Sequence, residues 1–286
     1  MKKRCENRKR LPFFLIVVVT GQEYDPGKLP RCRPDQPVPR FQGYWRKGTW
    51  HSLLCEMKRN WTQREPLREC LKNKHWVLLG DSTTRQWFKS LYGLIGINVP
   101  RPPDRTQGRS LFANYETLNA TLRYQMHPHA VGVSSYKVKD VMFEVDVLDS
   151  LVDPLCNDVV VISPWAHFTQ WTKQSYVERT RLLREAVLRL RQRCPDVPVV
   201  LKGPHPRTHK AFSDHIYSSD YIIKQIEAIN REFFRGIGVW FLPLWDINLA
   251  HQTPNTVHMT TSIPNVESLD TLSKGKMRLS CTSQPP

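Results

Sequence analysis

Residues 75–87 read HWVLLGDSTTRQW, an apolar run that stops at Gly80 and gives way to a segment of helical periodicity. The run Trp76–Leu79 is short, continuous and closed by a glycine, which fits a strand buried on both faces. After Ser82, the residues Trp87, Phe88, Leu91, Leu94 and Ile95 recur on one helical face. Strand, tight turn and helix in that order put Gly80-Asp81-Ser82 at the carboxyl end of a strand, where open α/β sheets bind ligands. Two readings of Ser82 compete. Asp81 or Ser82 can simply cap the helix, since both residue types are favoured there. Alternatively Ser82 is a nucleophile, and the N–H groups of the helix start receive an oxyanion. Gly-x-Ser-x-Gly is absent, so the α/β-hydrolase elbow is not indicated.

Working outward, three more apolar runs follow: Val159–Ile162, Val199–Leu201 and Val239–Leu244. Helical stripes alternate with them. Tyr176, Leu183, Val187 and Leu190 form one, with Arg179, Arg181, Arg184 and Arg189 mostly off that face as its solvated side. Ile222, Ile226, Ile229 and Phe233 form another, stopped by Gly236. Strands alternating with helices imply an α/β domain with a mainly parallel sheet covered on both faces. Residues 97–140 read as a long irregular insertion containing the His127-Pro128-His129 step. The strict alternation of Phe143-Glu144-Val145-Asp146-Val147 reads as a half-exposed strand.

A serine hydroxyl needs a base. Trp245-Asp246 follows the last apolar run, and His258 comes later in WDINLAHQTPNTVH. A histidine on a loop after the final strand can swing back to a serine after the first, with Asp246 fixing its tautomer. His251 is the rival in the same loop. His167, beyond the end of Val159–Ile162, is placed to donate to an oxyanion or to hydrogen-bond a substrate hydroxyl. A buried structural histidine is the plain alternative. The chain has ten histidines, so position rather than residue type selects these.

The 286 residues, 40% hydrophobic, are enough for one sizeable domain. The formal charge of +16, part of it within the first ten residues, attracts polyanions such as acidic glycans. No zinc-finger spacing or RNP-like signature accompanies it, so nucleic acid is not an expected partner. Residues 1–21 join a basic stretch to an apolar run, Leu11 to Val19. That run falls well short of the roughly 20 residues that span a bilayer. It matches a signal-peptide core, with Gly21 suited to cleavage. Removing it takes Cys5 from the seven cysteines and leaves an even number, as an oxidising compartment favours. Asn60-Trp61-Thr62 and Asn119-Ala120-Thr121 are glycosylation sequons. With no Cys-x-x-Cys pair, no metal site is expected, and no cofactor is implied. Secretion is the expected fate, with no membrane span beyond the amino-terminal apolar segment. Residues 22–40 form a proline-rich lead-in.

HWVLLGDSTTRQW, VVVISPWAHFTQW, the arginine-rich helix after it and VWFLPLWDINLAHQTPNTVH resemble the carboxyl-terminal half of the neurexophilin and PC-esterase (NXPE) family. FQGYWRKGTWHSLLCEM is similar to the stretch that opens that half. The resemblance runs from about residue 30 to 258 and delimits a PC-esterase-like domain over 41–258. It implies a three-layer α/β fold of the SGNH, flavodoxin-like type. It also implies Ser82 as nucleophile, His258 as its histidine, and acyl chemistry on glycans or glycoproteins, O-acetylation of sialic acid included, with an acetyl donor as partner. The chain departs from the family in three ways. The neurexophilin-like domain of longer members has no counterpart. The family's Asp-x-x-His has Asn255 in the aspartate position. The tail, 259–286, is polar where the family continues His-Pro-Pro, and is expected to be disordered.

Two functions are therefore expected. One is a secretory-pathway serine esterase or O-acetyltransferase using Ser82, His258 and Asp246, with Gly80, Asp81 and His167 at the oxyanion or substrate. The other is a secreted glycoprotein, glycosylated at Asn60 and Asn119, that binds partners or acidic glycans without catalysis.

Overall fold

The computed structural model describes residues 29–56, 64–96, 110–128, 141–253 and 256–259. The leader, residues 22–28 of the lead-in, Asn60, Asn255 and residues 260–286 lie outside them.

A six-stranded sheet organises the domain. It contains β3 (His75–Gly80), β4 (Leu111–Tyr115), β5 (Ala120–Met126), β6 (Asp158–Ser163), β7 (Val199–Lys202) and β8 (Trp240–Leu242), in the order β4-β5-β3-β6-β7-β8. All neighbours run parallel except the edge strand β4, which is antiparallel to β5. The expected mainly parallel α/β sheet is present. Its inner strands β3, β6 and β7 are buried almost throughout because both faces are covered. Trp76 and Leu78 enter one core with α1 (Arg64–Leu71), α2 (Ser82–Ile95) and α7 (Trp245–Leu249). Val77 and Leu79 enter the other with α3 (Glu144–Ser150) and α4 (Lys173–Arg193). The remaining helices are α5 (Phe212–Tyr217) and α6 (Asp220–Phe233). A third cluster joins Ile223 and Ile226 of α6 to Trp165, Phe168 and Tyr176.

Two expectations are corrected. The interval 97–140 holds β4 and β5, a strand pair whose turn carries Asn119 in the left-handed conformation. Leu111, Ala113 and Tyr115 alternate inward, a strand signal masked by the prolines and charges around it. The alternating stretch at Phe143–Val147 is not a strand: α3 begins at Glu144 and buries Val147 and Leu148. Glu144 is itself buried, which the alternation treated as an exposed position.

Ahead of the sheet in the chain, β1 (Gly43–Arg46) and β2 (Thr49–Ser52) form a hairpin. Lys47 and Gly48 both take positive φ at its turn, the type I′ pattern that suits strand twist. Trp45 Nε1 donates to Ile247 O at 2.8 Å and ties the hairpin to α7. Two disulfides occur among the described residues, Cys32–Cys55 and Cys156–Cys194. The first pins the lead-in to the segment after β2. No described helix is long and apolar enough to cross a membrane. The disulfides fit a chain that matures in an oxidising compartment.

Candidate active site

Register brings the site together. Gly80 pairs with Met126 on one side and Ser163 on the other, so β5, β3 and β6 end in one row. The next residues, His127, Asp81 and Pro164, leave the sheet at that rim, and Lys202 closes β7 beside it. Gly80 has φ +153°, and a Cβ there would lie 2.6 Å from Thr84 Oγ1 and 2.8 Å from Ser163 O. Only glycine fits where the turn passes this close to β6.

The capping question has a divided answer. Asp81 is the cap: its Oδ1 accepts the Thr83 N–H at 2.8 Å, while its carbonyl accepts those of Thr84 and Arg85. Ser82 is the first helical residue and is not needed as a cap. Its own N–H has no partner among the described residues. The first turn of α2 therefore offers one open donor, at the residue that carries the hydroxyl.

His258 Nε2 lies 2.6 Å from Ser82 Oγ, across 176 residues of sequence. Gln86, one turn along α2, holds the main chain of the next residue at both ends. Its Nε2 donates to Met259 O at 2.7 Å and its Oε1 accepts from Met259 N at 3.2 Å. The clamp sits inside the GDSTTRQW stretch, but nothing in its spacing pointed to a partner so far along the chain. His258 is open to solvent on one side. Loss of hydration on the other, opposed by Asp81 and reinforced by Arg85 and Arg207, brings its imidazole below the ordinary range.

The structure does not bring Asp246 to His258. Asp246 Oδ2 accepts the Gln42 N–H at 2.8 Å and so supports the approach to the hairpin. Among the described residues no carboxylate hydrogen-bonds the second nitrogen of His258. His251 is also elsewhere, bonded to Thr253 Oγ1 at 2.7 Å and edge-on to Trp45.

Asp81 is instead the carboxylate of this rim. It is fully buried, and its Oδ2 accepts the Ala166 N–H at 2.9 Å. Burial alone would raise its carboxyl. His167, Lys202, His127 and the Thr83 hydrogen bond outweigh that and leave it below the ordinary value. Lys202, buried at the end of β7, places Nζ 3.1 Å from Thr83 Oγ1. His205 lies buried and edge-on to Trp165.

His167 stands on the same rim, next to Ala166, and is 9% exposed. Its Nδ1 is 2.8 Å from His127 Nε2, and His127 Nδ1 is 3.2 Å from Glu144 Oε1. Glu144 Oε2 pairs with Arg179. Arg179 therefore leaves the solvated face assigned to the α4 arginines. It lies over the Phe168 ring, 4.4 Å from the centroid, with its side chain 12% exposed. Arg181 and Arg189 do stay on that outer face, paired to nearby acids. Burial drives the His167 ring down to about 4, against Asp81 and with help from His127 and His258. For Glu144, the His127 hydrogen bond and Arg179 overcome burial and hold the carboxyl low. Of this chain of four residues, sequence reasoning selected His167 for the site and missed its links to His127, Glu144 and Arg179. Asn119 is exposed in the β4–β5 turn, its Nδ2 donating to Asn73 Oδ1 at 3.0 Å.

Residues 50–272 match the family described as NXPE family member 4-like, C-terminal domain. The chain belongs to the NXPE family. Two solved structures are similar to this NXPE domain. One is described as a GDSL-like lipase from Parabacteroides merdae, 14% identical, with a TM-score of 0.44 over 72% of this chain and 97% of that one. The other is Est24, a carbohydrate acetylesterase from Sinorhizobium meliloti, 12% identical, with a TM-score of 0.41 over 68% of this chain and 94% of that one. Neither likeness bears on what this NXPE domain acts on.

Proposed function

We propose that this domain is a serine-dependent acyl esterase or O-acyltransferase of the secretory pathway, working on acetyl-type esters of glycans. The observation that carries the reading is the 2.6 Å contact of His258 Nε2 with Ser82 Oγ at the strand-end rim. Ser82 Oγ attacks the acyl carbon while its proton passes to His258 Nε2. The carbonyl oxygen becomes an oxyanion against the open Ser82 N–H. The leaving group departs with the proton from His258. Water or a sugar hydroxyl then attacks the acyl-serine, giving its proton to His258 and restoring Ser82. Asp81 supplies the negative field that an imidazolium at His258 needs, in place of a hydrogen-bonded third member.

The test is a fluorophosphonate probe on the intact protein beside Ser82→Ala and His258→Ala. Labelling of wild type that disappears in Ser82→Ala and falls by about 10³-fold or more in His258→Ala is expected. Equal labelling of all three would end the proposal. A second reading, non-catalytic binding of acidic glycans, is favoured by the lack of a carboxylate bonded to His258 among the described residues. It requires unlabelled wild type that is retained on heparin at low salt and released at moderate salt.

A further inference from the structure

The chain Arg179–Glu144–His127–His167 fixes where the hydrogens are on two buried rings. An ionised carboxylate only accepts, and an arginine only donates. Glu144 Oε2 faces Arg179, so Oε1 calls for a hydrogen on His127 Nδ1, 3.2 Å away. Glu144 is already paired with Arg179, and the other nitrogen of His127 faces a ring nitrogen of His167 rather than a second carboxylate, so one neutral chain of hydrogen bonds satisfies all four groups. His127 Nε2 then carries a lone pair and accepts from His167 Nδ1–H at 2.8 Å. That leaves Nε2 of His167 bare.

We infer that Glu144 and His127 are positioning residues that hold His167 in the tautomer whose Nε2 accepts a hydrogen bond, so that at the Ser82 rim it takes a hydroxyl of a polyhydroxylated acyl acceptor. The inference deepens the proposed acyl chemistry and rests on it for the word acceptor. A bare nitrogen repels an oxyanion, so the donor role open to His167 in the sequence is assigned to the Ser82 N–H. The hydroxyl held at His167 is not the one that attacks. Its neighbour on the same sugar gives up a proton to His258 and bonds to the acyl carbon. Water and simple alcohols lack the second hydroxyl and gain nothing from His167. The low value for His167, about 4, agrees with a ring that stays neutral at working pH.

The substitution Glu144→Gln tests the relay. Its carbonyl oxygen must turn to Arg179, which has no acceptor to offer, so its NH₂ faces His127 Nδ1. Both rings then reverse, and His167 Nε2 gains a hydrogen. Long-range ¹H–¹⁵N correlation spectra of histidine-labelled full chain at pH 7 should show His167 protonated at Nδ1 in wild type and at Nε2 in Glu144→Gln. Titration with methyl glucoside should move the Nε2 resonance in wild type and not in the variant. With p-nitrophenyl acetate as donor and methyl glucoside and ethanol as competing acceptors, the ratio of acetylated glucoside to ethyl acetate should fall about tenfold or more in Glu144→Gln.

A protonated Nε2 in wild type overturns the inference, whether or not the variant folds. So does an unchanged tautomer or product ratio in a folded variant. Absence of Ser82 labelling strikes the acyl reading instead, and the tautomer and glucoside titration still decide whether His167 holds a hydroxyl.

Discussion

Moving the Ser82 proton to His258 creates an imidazolium, and the nearby buried carboxylate that can favour it is Asp81. The same carboxylate feels the charge of the Lys202 ammonium through space and receives the N–H groups of Thr83 and Ala166. Two predictions belong to these side chains. His258 is depressed by partial burial, against Asp81 and with Arg85 and Arg207, so its basic form survives to lower pH than a free imidazole's. The pH profile of kcat/KM for p-nitrophenyl acetate should rise through an inflection below 6.5, the ordinary imidazole value, and stay flat to pH 8. An inflection above 6.5 would remove His258 as the base. Asp81→Asn should lower the inflection further by deleting the opposing charge. It should also destabilise the fold by about 1–3 kcal/mol in urea titrations at pH 7, since the Thr83 and Ala166 N–H groups lose a charged buried acceptor. Because the Asp81 carboxyl is depressed in the fold, its contribution is complete above the unfolded value of 3.8. It fades as pH falls through the lower folded value, so wild type and variant should converge in strong acid.

Helices and strands differ in how openly the sequence declares them. Trp76–Leu79, Val159–Ile162 and Val199–Leu201 were legible as strands because a sheet covered twice demands apolar side chains on both faces. The stretch at Phe143–Val147 misled because Glu144 looks like a solvent position until Arg179 and His127, far apart in sequence, are seen to pair with it. Lys202 hid for the same reason: a lysine ending a strand reads as exposed until Thr83 and Trp87 are found around its ammonium. Helix α2 does a second task that periodicity does not reveal. Gln86 grips the Met259 main chain at both ends and so delivers His258 to Ser82 from a loop. Gln86→Leu should slow fluorophosphonate labelling by about 10–100-fold, as loss of alignment does. Gln86→Glu, which keeps the acceptor but not the donor, should fall between the two. Stopped-time labelling measures all three, and a Leu variant as fast as wild type would show that His258 needs no clamp.

Across the whole molecule, the convergence of residues 82 and 258 was readable because both follow strands of one parallel sheet and so emerge on one rim. The third member was not readable. Asp246 follows the last strand as expected, yet the hairpin claims it through Gln42, a contact no pattern in the sequence announces. The disulfide pairing was equally closed to sequence reasoning. Cys156–Cys194 joins the approach to β6 to the end of α4, closing a separation of 38 residues away from Ser82. In the chain-entropy picture such a link restricts the unfolded chain by about 3–4 kcal/mol. The double variant Cys156→Ser, Cys194→Ser should therefore lose on the order of 10 °C in Tm by calorimetry. Its Ser82 labelling rate at 25 °C should match wild type, because the link lies on the α4 side of the sheet and touches neither member of the pair. An unchanged Tm would mean that burial of Val159–Ile162 and the α4 stripe already holds this corner, with the covalent bond adding nothing.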